Sequence, residues 1–302
     1  MKEWEEWKCI DVTGAFPCLQ HLSVVQCPKL KGNLPEQLLQ LKKLVIDDCK
    51  QLVAYAPRAQ EIRELELRDC GKLQFDYHPS TLKWLSIIGH SMDASLLERI
   101  RHIIYDTSLE FLLVDSCPVL NISTSRCYDF LVKLEISGSC DSLTTFSLDI
   151  FPKLCWLRLR CRNLQMISQE NVHHHLKHLN ISGCSKFESF LGEGLSAPSL
   201  ESFSIKRLQN LKSLPEHMHN LLPSLSSLSI RNCPQVKSFS NVAFPSGQYS
   251  GQYRKMVIGK GDDMHFLQSI VFTKHYELRL HHCTAPRWIS VPHTILIENV
   301  KF

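Results

Sequence analysis

No apolar run in the 302-residue sequence approaches the roughly 20 residues that a membrane-crossing helix needs. An excess of one charge is missing too. The formal net charge is +4 and charged residues make up 21%, whereas a nucleic-acid-binding chain concentrates basic residues. The stretch from Met1 to Lys8 is acidic and contains tryptophan; a secretory leader starts basic and continues apolar. A cytoplasmic chain is expected. Catalytic signatures are absent as well. The P-loop spacing fails around Gly259-Lys260, because Arg254 stands where its first glycine belongs. Neither a Gly-x-Ser-x-Gly elbow nor a His-Glu-x-x-His helix occurs. No enzyme activity, cofactor or metal is therefore expected. His173, His174, His175 and His178 form the one metal-like cluster, and a polar loop entering a strand explains it more simply. Two sequons, at Asn121 and Asn180, read as chance matches without a leader.

What the chain does have is thirteen cysteines and a period. The pattern apolar-x-x-apolar-x-apolar-x-x-Cys fits Leu19, Leu22, Val24 and Cys27, then Leu41, Leu44, Ile46 and Cys49. It recurs from Ile62 to Cys70, Leu109 to Cys117, Leu176 to Cys184 and Leu225 to Cys233. Degenerate copies start at Leu82, Leu131, Leu154 and Leu200, and weaker ones at Tyr253, His275 and about residue 292. In the copy at Leu131 the cysteine, Cys140, falls one residue late; in the copy at Leu154, Cys161 falls one early. The mean step is about 23 residues, within the range of leucine-rich repeats.

Side chains alternate faces along a strand, so the second and third apolar positions point into a core and their neighbours point out. One coil cannot bury its own apolar face; stacked coils can. The expected fold is an α/β solenoid, a leucine-rich-repeat horseshoe. Its parallel sheet would line the concave face and extend roughly 60 Å at about 4.8 Å per strand. Irregular loops, short 3-10 turns and about one short helix would form the convex side. That helix is expected within Met92 to Ser108, where Leu96, Leu97, Ile100, Ile103 and Ile104 have helical spacing. The chain reads as a single domain of 12–13 repeats over 1–302, with 1–18 ending a preceding repeat and 245–302 degenerate. Cysteine in the last slot is a small buried side chain with a weak S–H donor.

Outward strand positions are the candidate protein-binding residues. In the middle repeats they include Trp84, Ile88, Phe111, Leu113 and Trp156, and neighbouring exposed aromatics suggest a contact patch. Further along, the same slots hold Arg158, Arg160, Lys206, Arg231, Lys255 and Arg279, with Glu277 opposing. Such a stripe would steer an acidic protein surface.

The spelling of several repeats is more specific. Leu211-Lys212-Ser213-Leu214-Pro215-Glu216-His217-Met218, Leu222-Pro223-Ser224-Leu225 and Ile230-Arg231-Asn232-Cys233-Pro234 resemble plant intracellular immune receptors. So do Trp4-Glu5-Glu6-Trp7, Phe16-Pro17-Cys18-Leu19 and Cys27-Pro28-Lys29-Leu30-Lys31-Gly32. Over roughly residues 1 to 240 the chain resembles the repeat region of coiled-coil nucleotide-binding leucine-rich-repeat disease-resistance proteins. The resemblance implies a region that senses a pathogen effector or a guarded host protein and restrains a nucleotide-binding module. ADP or ATP would bind that module, which is absent from this sequence. The substrate-recognition repeats of F-box-type ubiquitin ligases are the alternative, since they also place cysteine in this slot. An extracellular receptor would favour asparagine there instead.

Overall fold

The computed structural model describes residues 3–7, 16–32, 34–90, 92–190, 194–215 and 217–236, plus the backbone of strands at 254–259, 276–281 and 295–298. The chain divides into two compact units, Met1–Cys140 and Asp141–Phe302.

In the first unit the long strands are β1 (His21–Val25), β2 (Lys43–Asp47), β4 (Glu64–Arg68), β6 (Trp84–Ile88), β7 (Phe111–Asp115) and β8 (Lys133–Ser137), with short β3 (Val53–Tyr55) and β5 (Lys72–Gln74) between them. The long strands pair in parallel and in chain order. Leu22, Leu44, Leu65, Leu85, Leu112 and Leu134 thereby stack in one buried column. Each coil also returns along a far side, where β3 pairs with β5. The expected helix is α1 (Ala94–Asp106), and all five apolar residues that foretold it are buried. Asp93 caps it by accepting from the Ser95 amide at 3.0 Å.

The second unit repeats the scheme. Its long strands are β10 (Trp156–Arg160), β12 (His178–Ser182), β14 (Ser202–Lys206), β15 (Ser227–Arg231), β16 (Arg254–Gly259), β17 (Tyr276–His281) and β18 (Ile295–Glu298). They too pair in parallel and in chain order. A far-side sheet joins β9 (Thr145–Ser147), β11 (Met166–Ser168) and β13 (Ser189–Phe190). A single helical turn, α2 (Met218–Leu221), precedes β15. The far-side strands are an addition to the sequence reading, which expected loops and 3-10 turns there. The turns themselves exist as single i→i+3 bonds, such as Leu52 N to Cys49 O at 3.1 Å and Phe187 N to Cys184 O at 3.1 Å.

From β1 to β15 each long strand begins two residues after a first apolar slot. Burial then alternates as the period requires, most plainly in His21–Val25 and Lys43–Asp47. Eight of these ten strands end in one left-handed residue: Gln26, Asp48, Asp69, Ser116, Gly138, Gly183, Arg207 or Asn232. This kink turns the next side chain inward, into the cysteine slot. There Cys49, Cys117, Cys184 and Cys233 are buried, and each thiol faces the carbonyl two residues back. Cys49, Cys117 and Cys184 also reach the preceding coil, as in Cys117 Sγ to Gly89 O at 3.3 Å. Burial pushes these thiols up, to about 12 for Cys70 and Cys117 and about 11 for Cys184. They stay protonated S–H donors, and all described cysteines are free.

The slot that seemed to have a late cysteine is filled by another residue. Ser139, fully buried, donates to Ser137 O at 2.8 Å and accepts from the Cys117 amide at 2.9 Å. In the second unit Cys184 accepts from the Cys161 amide at 3.3 Å. Ser139 therefore performs the ladder cysteine's role, and Cys140 packs beside it in the core.

Candidate protein-binding face

Because the inward side chains are committed to the core, each long strand presents three outward positions on a backbone that neighbouring coils hold rigid. In the first unit the outward row nearest the strand starts runs Lys43, Glu64, Trp84, Phe111, Lys133 in register. Trp84 and Phe111 stack with centroids 3.6 Å apart and planes 18° apart. The Lys133 ammonium lies 5.0 Å from the centroid of the Phe111 ring. Phe111 was expected to be exposed, yet it is only 7% exposed. Its indole neighbour and the lysine cover it, which periodicity along one strand does not reveal. Trp84 stays 38% exposed, and Ile88 and Leu113 are half-buried.

Charges on this unit's face are matched locally. Lys43 Nζ lies 2.6 Å from Glu66 and 3.0 Å from Glu64. The hydrogen bond to Glu66, then that to Glu64, raises the Lys43 pKa. Arg68 approaches Asp47 at 4.0 Å.

The second unit's face is different. Trp156 is half-buried, with the Arg158 guanidinium 5.5 Å from its ring centroid. Arg158 and Arg160 are exposed, while Lys206 and Arg231 are half-buried. Lys206 and Arg231 are direct register partners. Ser202, Ser204, Ser227 and Ser229 fill the remaining outward slots of the same two strands. Lys255 and Arg279 stand on β16 and β17, in register with Ser227 and Val257; their side chains lie outside the described residues.

The histidine cluster is dispersed. His173 is buried: its Nε2 faces Phe151 O at 2.8 Å, and its Nδ1 accepts from the Leu176 amide at 3.2 Å. That fixes the neutral tautomer with the proton on Nε2. Burial lowers its pKa. The sequence reading placed it in a polar loop; instead it closes a coil. His174 and His175 are exposed beside it, and no group able to hold a metal occurs among the described residues. Likewise, no helix among the described residues is long and apolar enough to cross a membrane.

Stacked coils, parallel sheets and a ladder of buried thiols at most of the described strand exits define a parallel β-solenoid of the leucine-rich-repeat type. A 50-residue stretch is 42% identical to a putative disease resistance protein of Arabidopsis thaliana, covering 16% of this chain and 4% of that protein. The chain matches no established protein-family profile and no solved structure.

Proposed function

We propose that this chain is the protein-binding repeat region of a plant intracellular immune receptor. The observation that supports the reading is the stretch similar to a putative disease resistance protein on a solenoid whose sheet face is a broad, rigid display surface. In the resting state the outer face docks the receptor's nucleotide-binding module. A pathogen effector, or a guarded host protein, competes for or reshapes that face. The equilibrium then shifts by the difference in affinity between the two states. The chain itself performs no chemistry and takes no nucleotide, metal or other cofactor; ADP and ATP belong to the partner module. It works in the cytoplasm, on protein rather than on nucleic acid or lipid.

Co-purification with the nucleotide-binding module of a matching receptor tests this. A stable complex is expected. Together, Arg158→Glu, Arg160→Glu and Lys206→Glu are expected to weaken it at least about tenfold, since cationic contacts carry the steering. A folded chain that never associates would overturn the reading and favour the ubiquitin-ligase alternative or a free-standing binding module.

A further inference from the structure

Lys206 and Arg231 sit side by side on β14 and β15, about 4.8 Å apart along the hydrogen-bonding direction. Like charges directly opposite on neighbouring strands destabilise each other. Neither has an ion-pair partner among the described residues. Arg231 Nε is moreover shut away from solvent and has no hydrogen-bond partner among the described residues. Arg160 belongs to the same row, because Ser182 pairs with Lys206 and β10 pairs with β12. Its side chain runs along Gly183, where an added Cβ would sit 3.6 Å from Arg160 Cγ and Nε. Arg160 thus leans over the exit of β12, the strand between it and Lys206. Ser182 stands between Arg160 and Lys206 in this row, and Ser204 and Ser229 are the outward residues two positions before Lys206 and Arg231 on the same strands; each hydroxyl can donate one hydrogen bond.

We infer that Lys206 and Arg231, with Arg160 and the neighbouring Ser182, Ser204 and Ser229, form a docking site for a phosphorylated side chain on a protein partner. Charge and spacing together favour that occupant. Two cations within the width of one functional group leave a positive charge uncompensated when a single carboxylate binds. A phosphomonoester brings a charge of about −1.5 to −2 and three acceptor oxygens. The guanidinium fork matches two of those oxygens, the ammonium offers a third donor, and serine hydroxyls can complete the shell. The inference rests on reading this face as a protein-docking surface, and it adds the chemistry of one contact.

Titration calorimetry on the full chain tests it, with inorganic phosphate and three matched short peptides as probes. The peptides carry phosphoserine, serine or glutamate at one position in an otherwise neutral sequence. The phosphoserine peptide is expected to bind, to be displaced by inorganic phosphate, and to exceed the glutamate peptide at least about tenfold. Its affinity should fall as pH drops through about 6, where the second phosphate proton returns. Lys206→Ala and Arg231→Gln should each cost about tenfold, with a melting temperature no lower than that of the unaltered chain, while Lys50→Ala in the first unit should cost nothing. Equal binding of the glutamate peptide would overturn the inference and leave a generic acid-binding face. Undiminished phosphopeptide binding by the folded Lys206→Ala/Arg231→Gln double variant would overturn it as well. So would phosphate binding without peptide discrimination, an adventitious ion only. All readouts use the chain alone, so their failure leaves the module-docking reading to its own co-purification test.

Discussion

Lys43 in the first unit and Lys206 in the second occupy outward positions on strands of the same design, yet their surroundings are opposite. Lys43 is gripped by two carboxylates from the next strand. Lys206 has an arginine as its register partner. In the first unit the face neutralises its own charges and covers its aromatic ring from within, through Trp84 and Lys133. In the second, the other outward residues of the strands that carry Lys206 and Arg231 are serines, which neutralise nothing. Fold stability does not explain the second arrangement, because like charges at that spacing oppose folding. A scaffold that solves the problem at one set of strands and retains it at another points to a contact outside the chain.

The largest effect expected from comparing the units lies beneath the faces, in the ladder slot. Ser139 accepts the Cys117 amide at 2.9 Å, whereas Cys184 accepts the Cys161 amide at 3.3 Å. Removing an acceptor strands a buried N–H, at a cost of about 1–3 kcal/mol. Ser139→Ala is expected near the upper half of that range, about 2 kcal/mol, because the hydroxyl is the better acceptor. Cys184→Ala should cost about 1 kcal/mol, the scale of one ordinary net hydrogen bond. Urea midpoints at constant slope would measure both. Ser139→Cys should recover part of the loss if the slot is the same in both units. A reversed order, or no recovery, would break the equivalence between Ser139 and the ladder cysteines.

Much of this architecture was legible in the sequence, for a physical reason. Strand period, core column and α1 all follow from apolar spacing, which one chain segment carries by itself. The Leu44 and Ile46 positions and the five apolar residues of α1 fell where spacing put them. What stayed hidden depends on neighbouring coils. The covering of Phe111 needs Trp84 from the coil before and Lys133 from the coil after. The neutralisation of Lys43 needs β4. Ser139 stands eight residues after Leu131, in the ladder slot, but serine breaks the cysteine pattern and Cys140 beside it masks the slot. The outward cations were legible as a stripe. The adjacency of Lys206 and Arg231, which gives the stripe its chemistry, came only with strand register.

A smaller effect sharpens the electrostatic contrast directly. Lys43→Glu would place three carboxylates together and remove both ion pairs. These are partly exposed groups, so solvent screening holds the loss to about 1 kcal/mol. Lys206→Glu should act in the other direction, since it replaces repulsion toward Arg231 with attraction; a gain of a few tenths of a kcal/mol is expected, roughly 0.2–1. Thermal melts at low and high salt would show both shifts shrinking as salt rises. Equal losses in the two variants would mean that the faces do not differ electrostatically, and the contrast would fail.

The smallest expected effect concerns the left-handed residue that follows β2 and its counterpart that follows β14. Asp48 in the first unit and Arg207 in the second hold φ of 52° and 56°. Aspartate visits this region comparatively readily, while a long unbranched side chain pays roughly 1–2 kcal/mol for it. Glycine removes that strain but costs about 0.5–1 kcal/mol in unfolded-chain freedom. Arg207→Gly is therefore expected to stabilise by a few tenths of a kcal/mol, on the order of 0.5, and Asp48→Gly to change little or lose slightly. Both backbone amides donate to the next strand's last carbonyl, Asp48 N to Arg68 O at 3.0 Å and Arg207 N to Arg231 O at 2.8 Å, so the ladder bond is the same in the two tests. If Arg207→Gly were instead destabilising by more than Asp48→Gly, the arginine side chain would be contributing a contact that outweighs its strain. The place to seek that contact would be beside Arg231, within the cationic cluster itself.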